Sequence, residues 1–590
     1  MDLPAADSNV CPVRWLSLLL LLPRAGRGLV TAAVLLNLAL GLLPIAFIVW
    51  MSLLLEKVDA LDSGWLTALA LAVGALVVQQ LLAPFQAAFT EVVSRRVDKH
   101  CIQRLLAAAY RDAPIATLEQ PGILDRLGDV KSAFDRSQPT PGEAAAGTLT
   151  LIARYTQLAG AVVLIAGVLD LLTGVIVGAT ALVIRFGQRG SLGRFATMWN
   201  GLAPYRRRTQ YLRGISTGAE AAKEIRVLGL LSWIRSRVGN AAADYMNVFW
   251  AQRRRMLLWP FLGFAAAGLI GGGFALGVLA RGTAAGDLTL LQFALGVQAV
   301  LIPIRFGVFF PECDTQTQFG WHSYKALMDF ESTTRAEAAV GGEIAEPPRE
   351  VIRFEGVAFG YPHGSKVFEE LDLELPVGRS TAIVGLNGAG KSTMVKLLAR
   401  FYDPDGGRIT VDGKDLREIE MHSWHRQLAV IFQDFVRYEL TGLENIALQS
   451  NPCPTCVRSA AERAGTLTDL SKPLFSRYAG GQDLSGGQWQ RVALARALFA
   501  AHAGASILVL DEPTAQLDVR AEVEFFDSFL ARTHGLTTVV ISHRFSTVRR
   551  ADNIVVLEHG KVVEQGTHDV LLKQEGRYEK MFRLQSERFQ

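Results

Sequence analysis

The first half of the chain contains six long apolar stretches, and they constrain the fold more than any other feature. They lie roughly at residues 29–55, 65–90, 146–169, 171–186, 256–280 and 288–310. Each is long enough, or nearly so, to cross the ~30 Å hydrocarbon core of a bilayer as an α-helix. At 590 residues, half of them hydrophobic, the chain is also too long for one domain. We therefore predict an all-α domain of six membrane-spanning helices, followed by at least one further domain.

Basic residues on one side of these stretches predict their orientation. Arg24 and Arg27 precede the first stretch, and more basic residues follow the second and fourth and precede the fifth: Arg95, Arg96, Lys99, Arg104, Arg185, Arg189, Arg194, Arg253, Arg254 and Arg255. The opposite loops are mainly acidic. Because Lys and Arg accumulate on the cytoplasmic side, both termini are expected in the cytoplasm. The net charge of +4 is small for this length and does not suggest a nucleic-acid partner.

The segments that flank the spans also predict helices. Trp15 to Leu22 is short and lacks a cleavage site, so we interpret it as an interfacial helix rather than a signal peptide. Residues 97–110, 203–212 and 219–231 have helical patterns on the cytoplasmic side. The spanning helices are therefore expected to continue well beyond the bilayer.

The sixth stretch carries Arg305, which is costly inside a membrane unless it faces protein or water. Pairing with Glu312 or Asp314 would make it structural. The alternative is a water-filled cavity for a neutral or anionic amphiphile, to which Gln79, Gln80, Gln86 and Gln298 would add polar groups.

The character of the sequence changes near residue 335. Residues 336–349 are rich in Ala, Gly, Glu and Pro and are predicted to be a linker. After it, short β-rich runs alternate with helical patterns, as in an α/β domain. The predicted organisation is a transmembrane domain over 1–335, the linker, and an α/β domain over 350–590.

A glycine-rich loop in this second domain predicts a phosphate site. An apolar strand over 380–384 precedes the loop, and a helix follows it. The loop fits the Walker A pattern, in which backbone N–H groups and the helix start surround phosphates. Its candidate nucleotide-binding residues are Gly385, Asn387, Gly388, Ala389, Gly390, Lys391, Ser392 and Thr393. Lys391 would reach the β- and γ-phosphates of ATP, and Ser392 would bind Mg²⁺.

A carboxylate pair follows a second apolar strand. The run 507–510 is apolar throughout, as expected of a strand buried on both faces, and it ends in Asp511 and Glu512. Alone, such a pair is more often a helix N-cap. Beside a Walker A loop it predicts Asp511 as a Mg²⁺ ligand and Glu512 as the group that polarises the attacking water.

The pentapeptide that begins at Leu484 resembles the signature motif of the ATP-binding cassette (ABC) ATPases, and residues 351–580 then resemble a whole domain of that family. The resemblance assigns ATP contacts to Ser485, Gly486, Gly487 and Gln488. It also implies that Tyr361 stacks on adenine, that Gln433 is catalytic and a Mg²⁺ ligand, that Asp518 lies in the D-loop, and that His543 is the catalytic switch histidine.

The first half is similar to the six-helix membrane domain of type IV ABC exporters. The resemblance implies short coupling helices that dock on the ATPase domains, for which 121–130 and 220–230 are the candidates. It further implies an ATP-hydrolysing half-transporter in a bacterial inner or plasma membrane. Each ATP would be enclosed between the Walker loop of one subunit and the signature motif of another, so a second half-transporter is an expected partner. We favour a homodimer, with a heterodimer as the alternative, because Lys391, Ser485, Glu512 and His543 are all intact.

The cargo is expected to be an amphipathic compound, a peptide or a secondary metabolite. A lipid floppase of the same architecture is the first alternative. A membrane-bound ATP sensor is the second, although a sensor has no need of a hydrolytic base.

The five cysteines do not form a disulfide framework, and a reducing compartment is expected for most of them. Cys453 and Cys456 have no second pair of ligands nearby, so we interpret them as part of a loop rather than a zinc site.

Overall fold

The computed structural model describes residues 16–135, 138–218, 221–306, 310–337, 342–362, 364–466, 469–512 and 535–586. The chain forms two compact units. The first comprises Met1–Tyr110 and Gln120–Ala336, and the second comprises Arg111–Glu119 and Glu337–Gln590.

The described part of the first unit is helical. Its helices are α1 (Arg27–Asp59), α2 (Trp65–Ala107), α4 (Pro121–Phe134), α5 (Pro141–Val168), α6 (Leu171–Gly201), α7 (Ala203–Thr217), α8 (Ala222–Val227), α9 (Leu231–Ala285), α10 (Leu290–Phe306) and α11 (Pro311–Glu337), while α3 (Ile115–Leu118) belongs to the second unit. A short 3₁₀ turn, Leu22–Ala25, precedes α1.

Five of these helices are long and apolar enough to cross a membrane: α1, α2, α5, α6 and α9. The sixth predicted span corresponds to α10, which is apolar but has only 17 residues in the described part of the chain. Helix α9 has 55 residues, far more than the ~20 that a bilayer requires. The predicted continuation of the spans as long helices is therefore confirmed for α2 and α9.

Two of the four glutamines predicted to supply polar groups to a cavity instead join helices. Gln86 Nε2 on α2 donates to Asn37 Oδ1 on α1 at 2.7 Å, and Asn37 is buried. Gln298 Nε2 on α10 donates to Ser52 Oγ on α1 at 3.3 Å. Hydrogen bonds between helices satisfy polar groups that would otherwise face hydrocarbon.

The predicted pairing of Arg305 with Asp314 is wrong. Asp314 is buried and pairs with Arg185 of α6, with both guanidinium NH groups 2.5 and 2.6 Å from its carboxylate oxygens. Arg305 is exposed, and it forms no ion pair with any residue of the described ranges. The Glu312 side chain lies outside what the structure describes. Two fully buried opposite charges satisfy each other better than an exposed arginine would satisfy Asp314.

The second unit contains two sheets. In the described residues, the smaller sheet is antiparallel with the order β2 (Lys366–Pro376), β1 (Val351–Gly360), β4 (Gly406–Val411) and β5 (Lys414–Asp415). The larger sheet has the order β10 (Lys561–Gly566), β9 (Asn553–Glu558), β3 (Ser380–Val384), β8 (Thr537–Ile541), β7 (Ile507–Asp511) and β6 (Leu428–Ile431). All its strands are parallel except β10.

Helices surround these sheets, and the α/β fold class predicted for this region is confirmed. They are α12 (Lys391–Leu398), α13 (Met421–Gln427), α14 (Gly442–Ala447), α15 (Pro454–Arg463), α16 (Gly486–His502), α17 (Phe545–Val548), α18 (His568–Lys573) and α19 (Arg577–Ser586). Strands β7 and β8 are buried at every residue. Burial on both faces explains the continuous apolar run Ile507–Leu510 in β7.

The segment from Arg111 to Glu119 belongs to the second unit, and the predicted coupling role of residues 121–130 stays a prediction. Ala116 of α3 packs against the core that contains β1 and β2, and Tyr402 donates a hydrogen bond to the Glu119 carboxylate. The predicted segment 121–130 instead lies in α4, within the first unit.

Candidate nucleotide-binding site

The glycine-rich loop connects β3 to α12 and has a backbone that only glycine adopts easily. Gly388 and Gly390 have positive φ values of 83° and 101°. A Cβ atom on Gly390 would lie 2.7 Å from the Phe368 ring, and one on Gly385 would lie 2.2 Å from the Leu557 carbonyl oxygen. The loop thus needs glycine for both conformation and space. Its N–H groups and the start of α12 form a cradle suited to phosphate.

Lys391 is folded back onto this loop. Its Nζ atom donates to the carbonyl oxygens of Gly385 and Leu386, at 2.9 and 3.0 Å. Burial lowers the pKa of Lys391, while Glu512 and Asp511 act in the opposite direction. A phosphate in the cradle would exchange these neutral acceptors for charged oxygens, which form stronger hydrogen bonds with an ammonium group.

Asp511 is the last residue of β7, and one oxygen of its carboxylate has no hydrogen-bond partner. The side chain is 4% exposed, and its Oδ1 atom is buried without a hydrogen-bond partner. Burial raises the pKa of Asp511, and a hydrogen bond with Ser392 partly offsets the effect. An orphaned buried carboxylate oxygen beside a hydroxyl group fits the oxygen ligands that Mg²⁺ prefers.

Glu512 is held between two other predicted catalytic residues. Gln433 Nε2 donates to Glu512 Oε2 at 3.0 Å, and His543 Nδ1 lies 3.3 Å from Glu512 Oε1. Glu512 also has a left-handed backbone, with φ of 49°, a strained conformation for a residue with a side chain. The Gln433 amide is thus hydrogen-bonded to the Glu512 carboxylate. A contact between Gln433 and Mg²⁺ remains a prediction.

These residues line one cavity of about 1200 Å³. Its walls include Gly385, Asn387, Gly388, Gly390, Lys391, Ser392, Thr393, Gln433, Glu512 and His543. Strand ends that are distant in sequence meet there because the parallel strands share one carboxyl edge. Ala389, the remaining loop residue, is buried beneath the cradle.

The C-terminal helix α19 adds wall residues that the sequence did not reveal. Met581, Leu584 and Gln585 line the same cavity. Gln585 Nε2 donates to the His543 carbonyl oxygen at 3.1 Å, and its Oε1 atom accepts from the Phe545 N–H at 3.0 Å. No motif marks these positions.

Tyr361 lies beside the loop but does not line the cavity. Its hydroxyl group is 3.2 Å from Thr393 Oγ1, and its ring packs edge-on against Tyr402 at 5.3 Å between centroids. The stacking of Tyr361 on adenine therefore stays a prediction.

The signature residues also lie away from this cavity. Ser485 is the N-cap of α16, and its hydroxyl accepts from the Gln488 N–H at 3.3 Å while Gln488 Oε1 accepts from the Ser485 N–H. Both side chains are exposed. None of the residues 485–488 lines the cavity. Asp518 lies outside the described residues.

Comparison with known proteins places this geometry in context. Residues 368–515 match the family model described as ABC transporter. The chain is 40% identical over 262 residues to an ATP-dependent lipid A-core flippase of Ralstonia nicotianae, covering 43% of this chain and 44% of the relative. It is 39% identical over 251 residues to the subtilin transport ATP-binding protein of Bacillus subtilis, covering 40% of each. The chain thus aligns with less than half the length of these curated relatives.

A solved structure extends the similarity in fold to both units. It is a bacterial Atm1-family ABC exporter with ATP bound, which matches with a TM-score of 0.73 at 23% identity and covers 95% of this chain and 99% of that one. At this identity the match concerns the fold. Residues 368–515 of the second unit therefore match the ABC transporter family, and the chain as a whole has the fold of an ABC exporter.

Proposed function

We propose that this chain is an ABC half-transporter that couples ATP hydrolysis to the export of an amphipathic molecule. The first unit is assigned as the transmembrane domain and the second as the cytoplasmic ATPase domain, with the junction in residues 336–349. The observation that carries the proposal is the placement of Glu512 between Gln433 and His543 at the wall of the phosphate cavity.

In the proposed reaction, the loop amides and Lys391 bind the phosphates of ATP. Mg²⁺, which neutralises phosphate charge when bound, would be held by Ser392 and Asp511, with Gln433 as a further candidate ligand. Glu512 orients and polarises the attacking water, and its two neighbours fix the direction of its carboxylate. His543 would contact the γ-phosphate, and Tyr361 is the candidate for adenine stacking.

A second subunit completes the site. Ser485 and Gln488 are exposed in this chain, and none of the residues 485–488 lines its own cavity. We infer that the start of α16, with Ser485 at its N-cap, covers ATP bound in the partner, where helix N–H groups favour the γ-phosphate. ATP would then hold two subunits together, and its hydrolysis would weaken their contact. A homodimer supplies two complete sites, and a heterodimer remains the alternative.

Two cytoplasmic segments are proposed to transmit this motion to the membrane. Residues 111–119 already pack with the ATPase unit. Helix α8 lies within the second predicted coupling segment and has no buried residue. Val227 and Leu228, at its end, are 85% and 65% exposed. We infer that this apolar end docks on an ATPase domain, because exposed apolar clusters mark interaction surfaces.

The cargo is proposed to enter a cavity of about 1170 Å³ in the first unit, between α6, α9 and α10. Phe195, Trp250, Phe261 and other apolar side chains line most of it, while Gln188, Ser191, Arg253 and Arg254 supply polar and cationic groups. This combination suits an amphiphile with an anionic end. Arg305 does not line this cavity, although its neighbour Ile304 does. An anionic lipid is one such amphiphile, so a floppase stays the first alternative.

The proposal is tested with the purified full-length chain in lipid nanodiscs and in sealed vesicles. ATP hydrolysis that requires Mg²⁺, and that rises with an anionic amphiphile moved across the vesicle membrane, is the expected result. A protein that binds ATP without turnover would be the membrane-bound sensor instead. Movement of fluorescent phospholipids but not of soluble amphiphiles would identify the floppase.

A further inference from the structure

Cys453 and Cys456 enclose the first turn of helix α15, and the ATPase mechanism uses neither. Cys453 is the N-cap of the helix, and Cys456 lies in its first turn. The structure joins them in a disulfide, with their Cα atoms 5.3 Å apart. The pair is therefore not the loop that the sequence suggested. Among the described residues, no group of three or more His, Cys, Asp or Glu side chains is arranged so that it could hold a metal ion.

The two sulfur atoms have different surroundings. Cys453 is exposed, whereas Cys456 is partly buried and packs against the core formed by α15 and α16. Cys453 Sγ accepts the N–H of Cys456 at 3.3 Å and lies 3.1 Å from the Thr455 hydroxyl. Donors at a helix N-terminus favour the thiolate over the thiol. Cys453 is thus the sulfur that external reagents would reach, and Cys456 is within bonding distance behind it.

The remaining described cysteines are in a different situation. Cys101 and Cys313 are each 0% exposed, and neither is part of a disulfide. Structural buried cysteines of this kind are inert, while exposed thiols near a helix N-terminus react. The contrast within one chain separates the pair on α15 from the other cysteines that the structure describes.

We propose that Cys453 and Cys456 form a reversible thiol–disulfide exchange site on the ATPase domain, with Cys453 as the exchanging sulfur and Cys456 as the resolving one. The ligand class is a small-molecule disulfide of the glutathione type or the equivalent disulfide of a redox protein. Neither needs a metal or another cofactor.

The exchange balances in two steps. The Cys453 thiolate attacks the external disulfide, which forms a mixed disulfide and releases one thiol. Cys456 then loses its proton and attacks Cys453 Sγ, which forms the internal disulfide and releases the second thiol. Two electrons pass from the protein to the reagent, and the two released thiols take up the two protons of the cysteines.

Both cysteines lie within one helical turn, so we expect the structural change to stay small. Val457, Ala460 and Ala461, on the inner face of α15, are buried against the α16 core and hold the helix in place. We therefore expect both redox forms to be folded and to hydrolyse ATP. Turnover then serves as a folding control that is independent of the exchange.

The test uses the full-length protein in detergent, equilibrated with set ratios of reduced to oxidised glutathione and analysed by mass spectrometry after alkylation. Cys453 and Cys456 should oxidise together, with the loss of two hydrogens and no lasting adduct. Cys456→Ser should trap a glutathione adduct on Cys453. Cys453→Ser should lose the adduct almost completely, because Cys456 is shielded. Cys101→Ser and Cys313→Ser are matched controls that should leave the transition of the pair unchanged.

Two results would overturn the proposal. One is that Cys453 and Cys456 remain thiols both in excess oxidised glutathione and with an oxidised redox protein, while ATP turnover shows the protein to be folded. The other is that the two serine variants form equal amounts of adduct, which would mean that the sulfurs react independently. If an oxidised redox protein converts the pair to the disulfide and oxidised glutathione does not, the site is supported. The disulfide it exchanges with is then identified as that of a protein.

Discussion

The Nδ1 atom of His543 lies 3.3 Å from the Oε1 atom of Glu512, so that two residues 31 positions apart share one corner of the phosphate cavity. Strands β7 and β8 are parallel neighbours, and they deliver these residues to the same edge of the sheet. With Gln433 on the other oxygen, both carboxylate oxygens of Glu512 have a partner that orients the side chain. The left-handed backbone at Glu512 indicates that the fold holds this side chain in place against local strain.

Replacing this carboxylate should separate binding from hydrolysis. Glu512→Gln keeps the shape of the side chain, and its hydrogen bond with Gln433 can rearrange. An amide, however, cannot polarise water as a carboxylate does. We expect turnover to fall by about 100-fold or more, with ATP affinity retained. Steady-state phosphate release and nucleotide binding are measured separately. Wild-type turnover in this variant would remove Glu512 from the mechanism.

Lys391→Ala is the complementary change. It removes the charge that now rests on the carbonyl oxygens of Gly385 and Leu386. We expect ATP affinity itself to fall, since a charged hydrogen bond to phosphate contributes about 1.5–3 kcal/mol. Binding of a fluorescent ATP analogue reports the change. Unaltered affinity together with normal folding would contradict the assigned role of Lys391.

Asp314→Asn should destabilise the first unit. The change leaves Arg185, itself 1% exposed, without its counter-charge in a buried site. Removing one partner of a buried ion pair costs about 3–5 kcal/mol. The temperature at which the solubilised protein loses its tertiary structure should drop. Asp287→Asn is the matched control, because Asp287 is exposed in the same unit. Equal midpoints for the two variants would disprove the structural role of the pair.

The cavity proposed for the cargo predicts which arginines are needed for the cargo to stimulate ATP turnover. Arg253→Ala combined with Arg254→Ala removes both cationic groups of the cavity wall. We expect these changes to abolish stimulation of ATP turnover by an anionic amphiphile while basal turnover continues. The sequence had pointed to Arg305 for the same role, and Arg305→Ala tests that hypothesis directly.

Dose–response curves of the stimulated rate decide between these arginines. Because Arg305 does not line the cavity, its variant should keep most of the stimulation. Loss of stimulation only in Arg305→Ala would move the cargo site to that residue. Full stimulation in all the variants would leave the cavity without a role in cargo recognition.

Assembly is tested by crosslinking across the proposed ATP sandwich. In a chain freed of its five native cysteines, Ser392→Cys and Ser485→Cys place one thiol at the Walker loop and one at the signature helix. If two copies enclose ATP, oxidation should join the two chains when ATP is bound and hydrolysis is blocked by Glu512→Gln. Gel electrophoresis without reductant reports the crosslinked dimer.

A heterodimer gives a different pattern. The chain expressed alone would form no crosslink and show no ATP turnover. Both would return when a second half-transporter with the complementary cysteine is supplied. The single variants, each with one introduced cysteine, control for random contact between detergent micelles.

The sequence by itself determined the parts of this protein that depend on local chemistry. The apolar stretches are long because a helix needs about 20 residues to cross the hydrocarbon core, and they are helical because a helix satisfies its backbone hydrogen bonds internally. The glycine-rich loop is recognisable because the positive φ values of Gly388 and Gly390 admit few other residues. Strand β7 could be predicted as buried because every residue before Asp511 is apolar.

Only the tertiary structure decided which distant residues meet. It paired Asp314 with Arg185 rather than with Arg305, and it brought Gln585 of the last helix to the carbonyl of His543. It also assigned residues 111–119, rather than the amphipathic helix that follows, to the ATPase unit. These contacts depend on which elements pack together in three dimensions, and the choice of packing partner leaves no periodic trace in the sequence. Local pattern reports the face a helix buries, but the partner on that face is chosen by the fold.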